Sequence, residues 1–322
     1  MADEGDTMIS KRSLLTGLAA AVTLPGLARA AGFGEYVRIP VSVSPIGRVL
    51  VPVTINGQGP YNFIMDTGAY SSGILDGLAK TLDLPFVEGR TQVGIGGADF
   101  HTIYRAHKVV FGEKLAQTDV VFGGVAHLGS HEDGLLAAGF LTSMPSELDF
   151  GLSEIRIYVK GAPDLSGYVP IKSYISSESA ISSPEIHVYA KIDGIPLRLL
   201  VDTGSPTSLL IVPSVVKAHG LWDRYGEGKP TKSTGITGAS VDAREVMMPD
   251  FSLSDIAIPR LPVKLMDPRF DQEDLGADGL LGSQFLKLFS MAVTPAGMAL
   301  RPNAQTVITP DTASASASSP GS

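Results

Sequence analysis

Two stretches of the chain, 49–65 and 186–201, share one pattern of apolar and polar positions. Each has an apolar, strand-like segment, a turn pair of Asn-Gly or Asp-Gly, and a second apolar segment. The segments are Val49–Ile55 and 61–65 around Asn56-Gly57, and 186–192 and 197–201 around Asp193-Gly194. Because these turn pairs favour two-residue hairpin loops, each stretch predicts a β-hairpin.

Three further segments extend this pattern. The segment 71–82 predicts a short helix that ends before Pro85, and 212–219 predicts its counterpart in the second half. Residues 155–159 alternate between apolar and polar side chains and predict a strand that closes the first half. The two halves therefore have the same predicted order of elements.

The composition along the chain divides it into lobes. We predict an N-terminal lobe at 36–160 and a C-terminal lobe at 185–302. Gly, Pro and Ser are concentrated in 161–184, which we interpret as the linker between them. The Ser/Ala-rich segment 303–322 has too few apolar residues for a core, and we expect it to be disordered.

The tripeptide Asp-Thr-Gly follows the second apolar segment of both hairpins. One copy alone is more often a plain turn, but two copies in matching contexts favour a duplicated lobe. A Gly-rich turn and then an Asp-Gly-Leu-Leu segment follow in the same order in each half. The repeated motifs are Asp66-Thr67-Gly68 and Asp202-Thr203-Gly204, Gly94-Ile95-Gly96-Gly97 and Gly235-Ile236-Thr237-Gly238, and Asp133-Gly134-Leu135-Leu136 and Asp278-Gly279-Leu280-Leu281.

These motifs resemble those of pepsin-like aspartic proteases, in the bacterial form made of two fused retropepsin-like lobes. The resemblance covers residues 36–302. It implies a mostly β, bilobal fold with two homologous, β-barrel-like lobes and an active-site cleft between them. It also implies that the Asp-Gly-Leu-Leu strands brace the Asp-Thr-Gly loops. The Gly-rich hairpins would form flaps over the substrate, at Ile95, Gly96, Gly97, Ile236, Thr237 and Gly238.

The resemblance makes Asp66 and Asp202 the candidate catalytic pair. Two carboxyl groups in close contact cannot both ionise easily, so the pair carries one proton and can activate a water. This chemistry predicts an aspartic endopeptidase acting on an extended peptide or an unfolded protein. The supporting residues are expected to be Thr67, Gly68, Thr203, Gly204 and Ser205.

Each supporting residue has an expected role. Thr67 and Thr203 are expected to join the two loops by hydroxyl-to-backbone hydrogen bonds, and the two glycines to let each loop approach the opposite carboxylate. Ser205 can hydrogen-bond its neighbouring carboxylate, whereas Ala69 at the matching position cannot. The two aspartates are therefore expected to have unequal surroundings.

The first lobe departs from the family pattern in two ways. Ala137 stands where the bracing strand usually has glycine, as at Gly282, and no tyrosine is evident at the flap tip, with Tyr104 the nearest. These departures keep one alternative open. On that alternative, the protein is a non-catalytic module on the same fold that binds a peptide or a protein.

Composition narrows the remaining classes of function. The chain has 322 residues, 44% of them hydrophobic, which is enough for two lobes with their own cores. Its net charge of −8, without a basic run, argues against a nucleic-acid partner. The absence of cysteine excludes disulfides and thiolate sites. A fused pair of lobes needs no second copy, so we expect a monomer.

The segment around His127 and His131, with Glu132 and Asp133 after the second histidine, is a candidate metal site. Two histidines and two carboxylates could bind zinc and support a metal-dependent hydrolase. Gly129 argues against a helix that would align them, and the second lobe has no equivalent cluster. We therefore expect neither a metal nor another cofactor.

The first 30 residues have the layout of a bacterial signal peptide. Lys11-Arg12 precede the apolar stretch 13–27, and Ala28-Arg29-Ala30 forms a cleavage signal. The segment resembles a twin-arginine signal with lysine in place of the first arginine. An uncleaved anchor is the alternative, but the apolar stretch is shorter than the roughly 20 residues of a spanning helix. We expect a periplasmic or secreted protein without membrane attachment after cleavage.

Overall fold

Strands make up most of the structure, and the helices are short. The computed structural model describes residues 34–94, 97–176, 183–235, 240–270 and 276–303, and the backbone of Thr7–Ile9. The strands are β1 Thr7–Ile9, β2 Glu35–Pro40, β3 Ser42–Val43, β4 Val49–Ile55, β5 Gln58–Met65, β6 Gly73–Leu75, β7 Phe86–Gly94, β8 Gly97–Phe111, β9 Leu115–Val125, β10 Gly134–Leu136, β11 Ser146–Asp149, β12 Glu154–Lys160, β13 Val169–Pro170, β14 Ser173–Ser176, β15 Glu185–Ile192, β16 Ile195–Asp202, β17 Leu209–Ile211, β18 Lys229–Thr234, β19 Ser240–Leu253, β20 Ile256–Met266, β21 Gly279–Gly282, β22 Phe289–Thr294 and β23 Gly297–Pro302. The helices are α1 Asp76–Thr81, α2 Gly139–Thr142, α3 Pro213–Ala218, α4 Leu221–Arg224 and α5 Ser283–Leu286.

The two lobes are built on the same sheet plan. In the first lobe the strand order is β1-β9-β6-β10-β5-β4-β8-β7, with β3 on β4 and a further pairing of β8 with β9. In the second it is β14-β15-β16-β21-β17-β20-β19-β18, with a further pairing of β15 with β19. The further pairings curl each sheet back on itself. The predicted duplication is thus present in the topology, because β5-β10-β6 corresponds to β16-β21-β17.

A third sheet joins the lobes. Its order is β13-β23-β22-β11-β12-β2, and β11 of the first lobe pairs antiparallel with β22 of the second. One face of this bridging sheet carries Leu148, Ile155 and Met291 into a hydrophobic core that contains residues of both lobes. The lobes are therefore fixed to one another by backbone pairing and by shared apolar packing.

Both predicted hairpin turns are confirmed by their backbone conformation. Asn56 and Gly57 have φ angles of 50° and 82°, and Asp193 and Gly194 have φ angles of 52° and 77°. Two successive positive φ angles are the signature of the type I′ turn, which Asn-Gly and Asp-Gly favour.

The predicted helix at 71–82 is wrong over its first part. Gly73–Leu75 forms β6, which pairs with β9 and β10, and only Asp76–Thr81 is helical. Gly73 and Ile74 are buried, so pairing with two neighbouring strands overrides local helix preference. The counterpart predicted at 212–219 is confirmed as Pro213–Ala218, with proline in the first turn where it fits a helix.

Several predicted segments fall partly outside the described residues. Within 161–184, β13 pairs with β23 and β14 pairs with β15, so the segment contributes edge strands to two sheets. The signal segment 1–30 lies outside the described residues except for the backbone of Thr7–Ile9, which pairs with Leu115–Gln117. The tail 303–322 lies outside them after residue 303. Within the described ranges, no helix has the length and apolar character needed to cross a membrane.

Candidate active site

The two Asp-Thr-Gly loops lie where parallel strands end in the middle of each lobe. Asp66 follows β5, whose Met65 pairs in parallel with Leu136 of β10, and the Asp66 N–H donates to the Leu136 carbonyl at 2.9 Å. Asp202 ends β16 and pairs in parallel with Gly282 of β21. The Asp-Gly-Leu-Leu strands therefore support both loops, as predicted.

The threonines join the two loops through four buried hydrogen bonds. The Thr67 N–H donates to Thr203 Oγ1, and the Thr203 N–H donates to Thr67 Oγ1, both at 3.0 Å. Thr67 Oγ1 donates to the Val201 carbonyl at 2.7 Å, and Thr203 Oγ1 donates to the Met65 carbonyl at 2.5 Å. This exchange fixes the loops relative to each other, since each buried hydroxyl is both donor and acceptor.

The two glycines bring each loop against the opposite carboxyl group. A Cβ atom on Gly68 would lie 2.5 Å from Cγ of Asp202, and one on Gly204 would lie 2.5 Å from Cγ of Asp66. No side chain fits in either place without displacing the carboxyl group it meets. Glycine is required here for close approach.

Asp66 and Asp202 are half-buried and hydrogen-bonded to each other. Burial is the largest cause that raises the pKa of both groups, since it disfavours the charged form. The pKa of Asp202 lies well above its usual value, because the negative charge of Asp66 adds to burial. For Asp66, the hydrogen bond from Asp202 and the charge of Arg48 lower the pKa and partly offset burial. The two carboxyl groups therefore have unequal electrostatic surroundings.

The expected contact of the Ser205 hydroxyl with its neighbouring carboxylate is wrong. Ser205 Oγ is hydrogen-bonded to Thr207 Oγ1 at 2.9 Å, and it is the Ser205 N–H that donates to Asp202 Oδ1 at 2.9 Å. In the first lobe the Gly68 N–H donates to Asp66 Oδ1 at 3.1 Å. Each carboxylate thus accepts a backbone donor, and the serine hydroxyl instead braces its own loop.

Two charged residues of the site were missed by sequence reasoning. Arg48 Nε donates to the carbonyl oxygen of Gly204 at 2.9 Å, and Arg48 Nη1 lies 2.8 Å from Glu132 Oε2. The sequence signal was weak, since Arg48 stands at the edge of an apolar segment and its partners are 84 and 156 residues away. The sequence suggests Glu132 only as a candidate metal ligand.

The side chains of the candidate metal segment 127–133 have other contacts. Glu132 is engaged with Arg48 and accepts from the Gly129 N–H, while Asp133 Oδ2 accepts from the Asn62 N–H at 2.8 Å. His127 and His131 are exposed. Among the residues that the structure describes, no group of three His, Asp or Glu side chains is placed to hold a metal ion.

The flap predictions fall mostly outside the described residues. The β7–β8 hairpin is paired out to Gly94 and Gly97, and the β18–β19 hairpin to Thr234 and Ser240. Gly97 begins β8, whereas Ile95, Gly96, Ile236, Thr237 and Gly238 are not described. Tyr104 is buried at the other end of its hairpin, and its hydroxyl donates to Asp76 Oδ1 at 2.9 Å. Tyr104 is therefore not a flap-tip residue.

Gly282 and Ala137 occupy matching positions but tolerate different side chains. A Cβ atom on Gly282 would lie 2.2 Å from the Thr207 carbonyl oxygen, while Ala137 is accommodated and its N–H donates to Ser72 Oγ at 3.1 Å. Replacing Gly282 by Ala is expected to lower the free energy of unfolding by about 1–3 kcal/mol, because the loop after Asp202 must shift.

The matched control for this prediction is Ala137→Gly, which adds no atoms and is expected to cost only about 0.5–1 kcal/mol. Chemical denaturation of both variants measures the difference. A Gly282→Ala protein as stable as the Ala137→Gly protein would contradict the crowding argument.

Duplicated β lobes that each present one carboxylate to the other form the arrangement of the pepsin/retropepsin-like aspartic proteases. A family model described as aspartyl protease matches the chain at residues 51–140 and 188–285, which together are more than half of it. The chain therefore belongs to the aspartyl protease family, and the predicted fold class is confirmed.

Solved structures show the same fold. An aspartic proteinase from Irpex lacteus superposes with a TM-score of 0.52 at 13% sequence identity, covering 84% of this chain and 98% of that chain. At this identity the similarity concerns the fold alone. A search of curated protein sequences gives no match.

Proposed function

We propose that the protein is an aspartic endopeptidase that hydrolyses peptide bonds with Asp66 and Asp202. The observation that carries this proposal is the hydrogen-bonded pair of carboxyl groups at the lobe junction, with a raised pKa on both. The threonine hydrogen bonds and the close glycines support it, because they hold the two groups in one geometry. Family membership supports peptide substrates in general.

In the proposed mechanism the two aspartates have different roles. Asp66, the ionised member, takes a proton from a water molecule while the water oxygen attacks the carbonyl carbon of the peptide bond. At the same time Asp202 gives its proton to the carbonyl oxygen. In the second step Asp66 transfers its proton to the amide nitrogen, the carbon–nitrogen bond breaks, and Asp202 recovers a proton from a hydroxyl of the intermediate. The pair ends in its starting state.

The proposed substrate is an extended segment of a peptide or an unfolded protein. It would lie in the cleft between the lobes, beneath the β7–β8 and β18–β19 hairpins, and bind through backbone hydrogen bonds with side chains in pockets. Two hairpins, one from each lobe, support this orientation, with strands paired as far as Gly94–Gly97 and Thr234–Ser240.

The proposal predicts cleavage of an unfolded protein with a bell-shaped dependence on pH. The rate should fall at low pH as Asp66 becomes protonated and at high pH as Asp202 loses its proton. Because the pKa of both groups is raised, the active range should lie above that of ordinary carboxyl pairs. The measurement is fragment formation, followed by mass spectrometry from about pH 3 to about pH 8.

Two controls accompany this assay. Near-ultraviolet circular dichroism establishes that the protein is folded at each pH, and a parallel reaction contains a chelator. Folded protein that yields no internal fragments at any pH would refute the endopeptidase proposal. Loss of cleavage with the chelator would point instead to metal-dependent hydrolysis.

A further inference from the structure

We propose that Arg48, held by Glu132, is a positioning residue that makes Asp66 the base and Asp202 the acid of the carboxyl pair. The catalytic meaning of this inference rests on the proposed function. Its structural content, the hydrogen bond from Arg48 to the Gly204 carbonyl and the ion pair of Arg48 with Glu132, stands on the geometry alone.

Arg48 reaches from one lobe to the catalytic loop of the other. It lies just before β4 in the first lobe, and its Nε donates to the Gly204 carbonyl oxygen of the second at 2.9 Å. Gly204 is the residue whose added Cβ would lie 2.5 Å from Cγ of Asp66. The guanidinium group is therefore attached to the loop that faces Asp66.

Glu132 fixes this guanidinium group from behind. Its side chain is only 2% exposed and that of Arg48 is 23% exposed, so the pair is largely shielded from water. Glu132 Oε2 lies 2.8 Å from Arg48 Nη1 and also accepts from the Gly129 N–H at 2.8 Å. A shielded ion pair with further hydrogen bonds holds its geometry far better than an exposed one.

The duplication supplies an internal comparison. Aligning the two hairpin turns places Glu185 at the position of Arg48, and aligning the Asp-Gly-Leu-Leu segments places Ala277 at the position of Glu132. Glu185 Oε2 lies 3.5 Å from His187 Nε2. The second lobe thus has the opposite charge at the position of Arg48 and an alanine at the position of Glu132. The Arg48–Glu132 pair therefore has no counterpart at the matching positions of the second lobe.

This asymmetry has an electrostatic consequence. Among the described residues, the charged groups that act on Asp66 are Asp202 across the interface and Arg48, and Glu132 faces Arg48. The positive charge of Arg48 favours the carboxylate form of Asp66 and opposes the rise of its pKa on burial. Burial and the charge of Asp66 raise the pKa of Asp202. The one proton of the pair is thereby directed to Asp202.

The test is a pair of variants with opposite expected effects. Arg48→Met removes the cation and should move the protonation of Asp66 to higher pH by about one unit, a tenfold change. Glu132→Gln keeps an acceptor oxygen that can hold Arg48 but removes the counter-charge, and it should move the protonation of Asp66 to lower pH. If Arg48 and Glu132 had a purely structural role, the two substitutions would not move the titration of Asp66 in opposite directions.

The readout is the titration of aspartate carboxyl carbons by nuclear magnetic resonance, assigned with Asp66→Asn and Asp202→Asn. The matched control is Arg105→Met, because Arg105 is an exposed arginine of the same lobe that pairs with Asp119 at 3.6 Å. This control should leave the titration unchanged. Equal midpoints in wild type and in folded Arg48→Met or Glu132→Gln protein would overturn the inference, as would an equal shift in Arg105→Met.

A second readout separates this inference from the proposed function. The acidic limb of the kcat/KM profile should move in the same directions as the carbon titration. If the wild type cleaves nothing, the proposed function fails, yet the titration still decides the role of Arg48. If the wild type cleaves and both readouts stay unchanged in the variants, the inference about Arg48 fails and the proposed function stands.

Discussion

Replacing either aspartate of the pair by Asn is expected to lower kcat/KM by at least about 10³-fold. In the proposed mechanism, Asp66→Asn removes the group that takes the proton from water, and Asp202→Asn removes the group that protonates the carbonyl oxygen. Because the two act as one unit, the double variant should be no slower than the slower single variant. The measurement is kcat/KM for one peptide at the optimum pH of the wild type.

The thermal stability of the Asp202→Asn variant serves as the fold control for this experiment, and its dependence on pH has an expected sign. In the folded protein the pKa of Asp202 is raised above its ordinary value of 3.8, so its contribution to stability is full below that value and is lost as pH rises through the folded pKa. Asparagine does not ionise, so the Asp202→Asn variant does not lose stability in this way as pH rises. We therefore expect the variant to have a higher Tm than the wild type near about pH 7, and the gain to vanish near about pH 3.

Asp255→Asn is the matched control, since Asp255 is exposed in the turn between β19 and β20. It should change neither kcat/KM nor the pH dependence of Tm. Hydrolysis by Asp66→Asn or Asp202→Asn protein at the wild-type rate would be incompatible with the proposed dyad.

Local chemistry explains what the sequence could predict. The turn pairs Asn56-Gly57 and Asp193-Gly194 carry their conformation in two residues, and the hairpins form where they were expected. The paired Asp-Thr-Gly motifs could be placed opposite each other because the same order of elements recurs around them. Each Asp-Thr-Gly motif alone is a weak signal, but the two in matching contexts predict a fold with two matching lobes.

Long-range contacts explain what the sequence could not predict. The sequence predicts a helix at Gly73–Leu75, where the structure has a strand, because a short apolar segment has the same pattern in a helix and in a buried strand. The approach of Arg48 to Gly204 and Glu132 joins residues that are far apart in the chain and leaves no periodic pattern. The hydroxyl of Ser205 had two possible partners, and packing selected Thr207.

The Arg48 contact changes how the duplication is understood. The differences first noted between the lobes, at Ala69 and Ala137, are accommodated locally: the Ala69 N–H donates to the Asp66 carbonyl, and the Ala138 N–H donates to the Ala69 carbonyl. The proposed role of Arg48 assigns part of the electrostatic difference between the two aspartates to a residue outside the motifs. One charge then gives the two matching loops different roles.

The bridging sheet contains a buried carboxylate on which we expect stability to depend strongly. Glu147 of β11 lies on the face opposite Leu148 and is almost completely buried. It accepts from Arg156 Nη1 at 2.9 Å, from the Tyr158 hydroxyl at 3.1 Å and from the Tyr168 hydroxyl, and Arg301 Nη2 lies 3.6 Å away. Four donor side chains from two strands and a loop thus converge on one residue next to the lobe-joining pair β11–β22.

Replacing Glu147 by Leu is expected to lower the free energy of unfolding by about 3–5 kcal/mol. The loss is large because the two phenol hydroxyls remain buried without their acceptor, and of its ion pairs Arg156 keeps only that with Glu154. Replacing every member of such a group by apolar residues can be neutral. Urea denaturation measures this difference. Glu113→Leu, in the exposed turn between β8 and β9, is the control and should change stability by no more than about 0.5 kcal/mol.

A second observable identifies the cause. Burial and then the charge of Glu147 raise the pKa of Tyr158 to about 12. In Glu147→Gln protein the charge is absent while the shape is kept, so the Tyr158 phenol should titrate at lower pH. The absorbance of the phenolate measures this titration. An unchanged Tyr158 titration would contradict the assigned contact.

The Glu147→Leu variant also separates the effect on stability from the effect on catalysis. Glu147 contacts neither Asp-Thr-Gly loop in the described contacts, and the threonine hydrogen bonds hold those loops together independently of it. Glu147→Leu protein that is still folded at low temperature should therefore keep kcat/KM within about twofold of the wild type, while unfolding at lower urea. A loss of activity in the folded protein would mean that the bridging sheet also sets the distance between the two carboxyl groups.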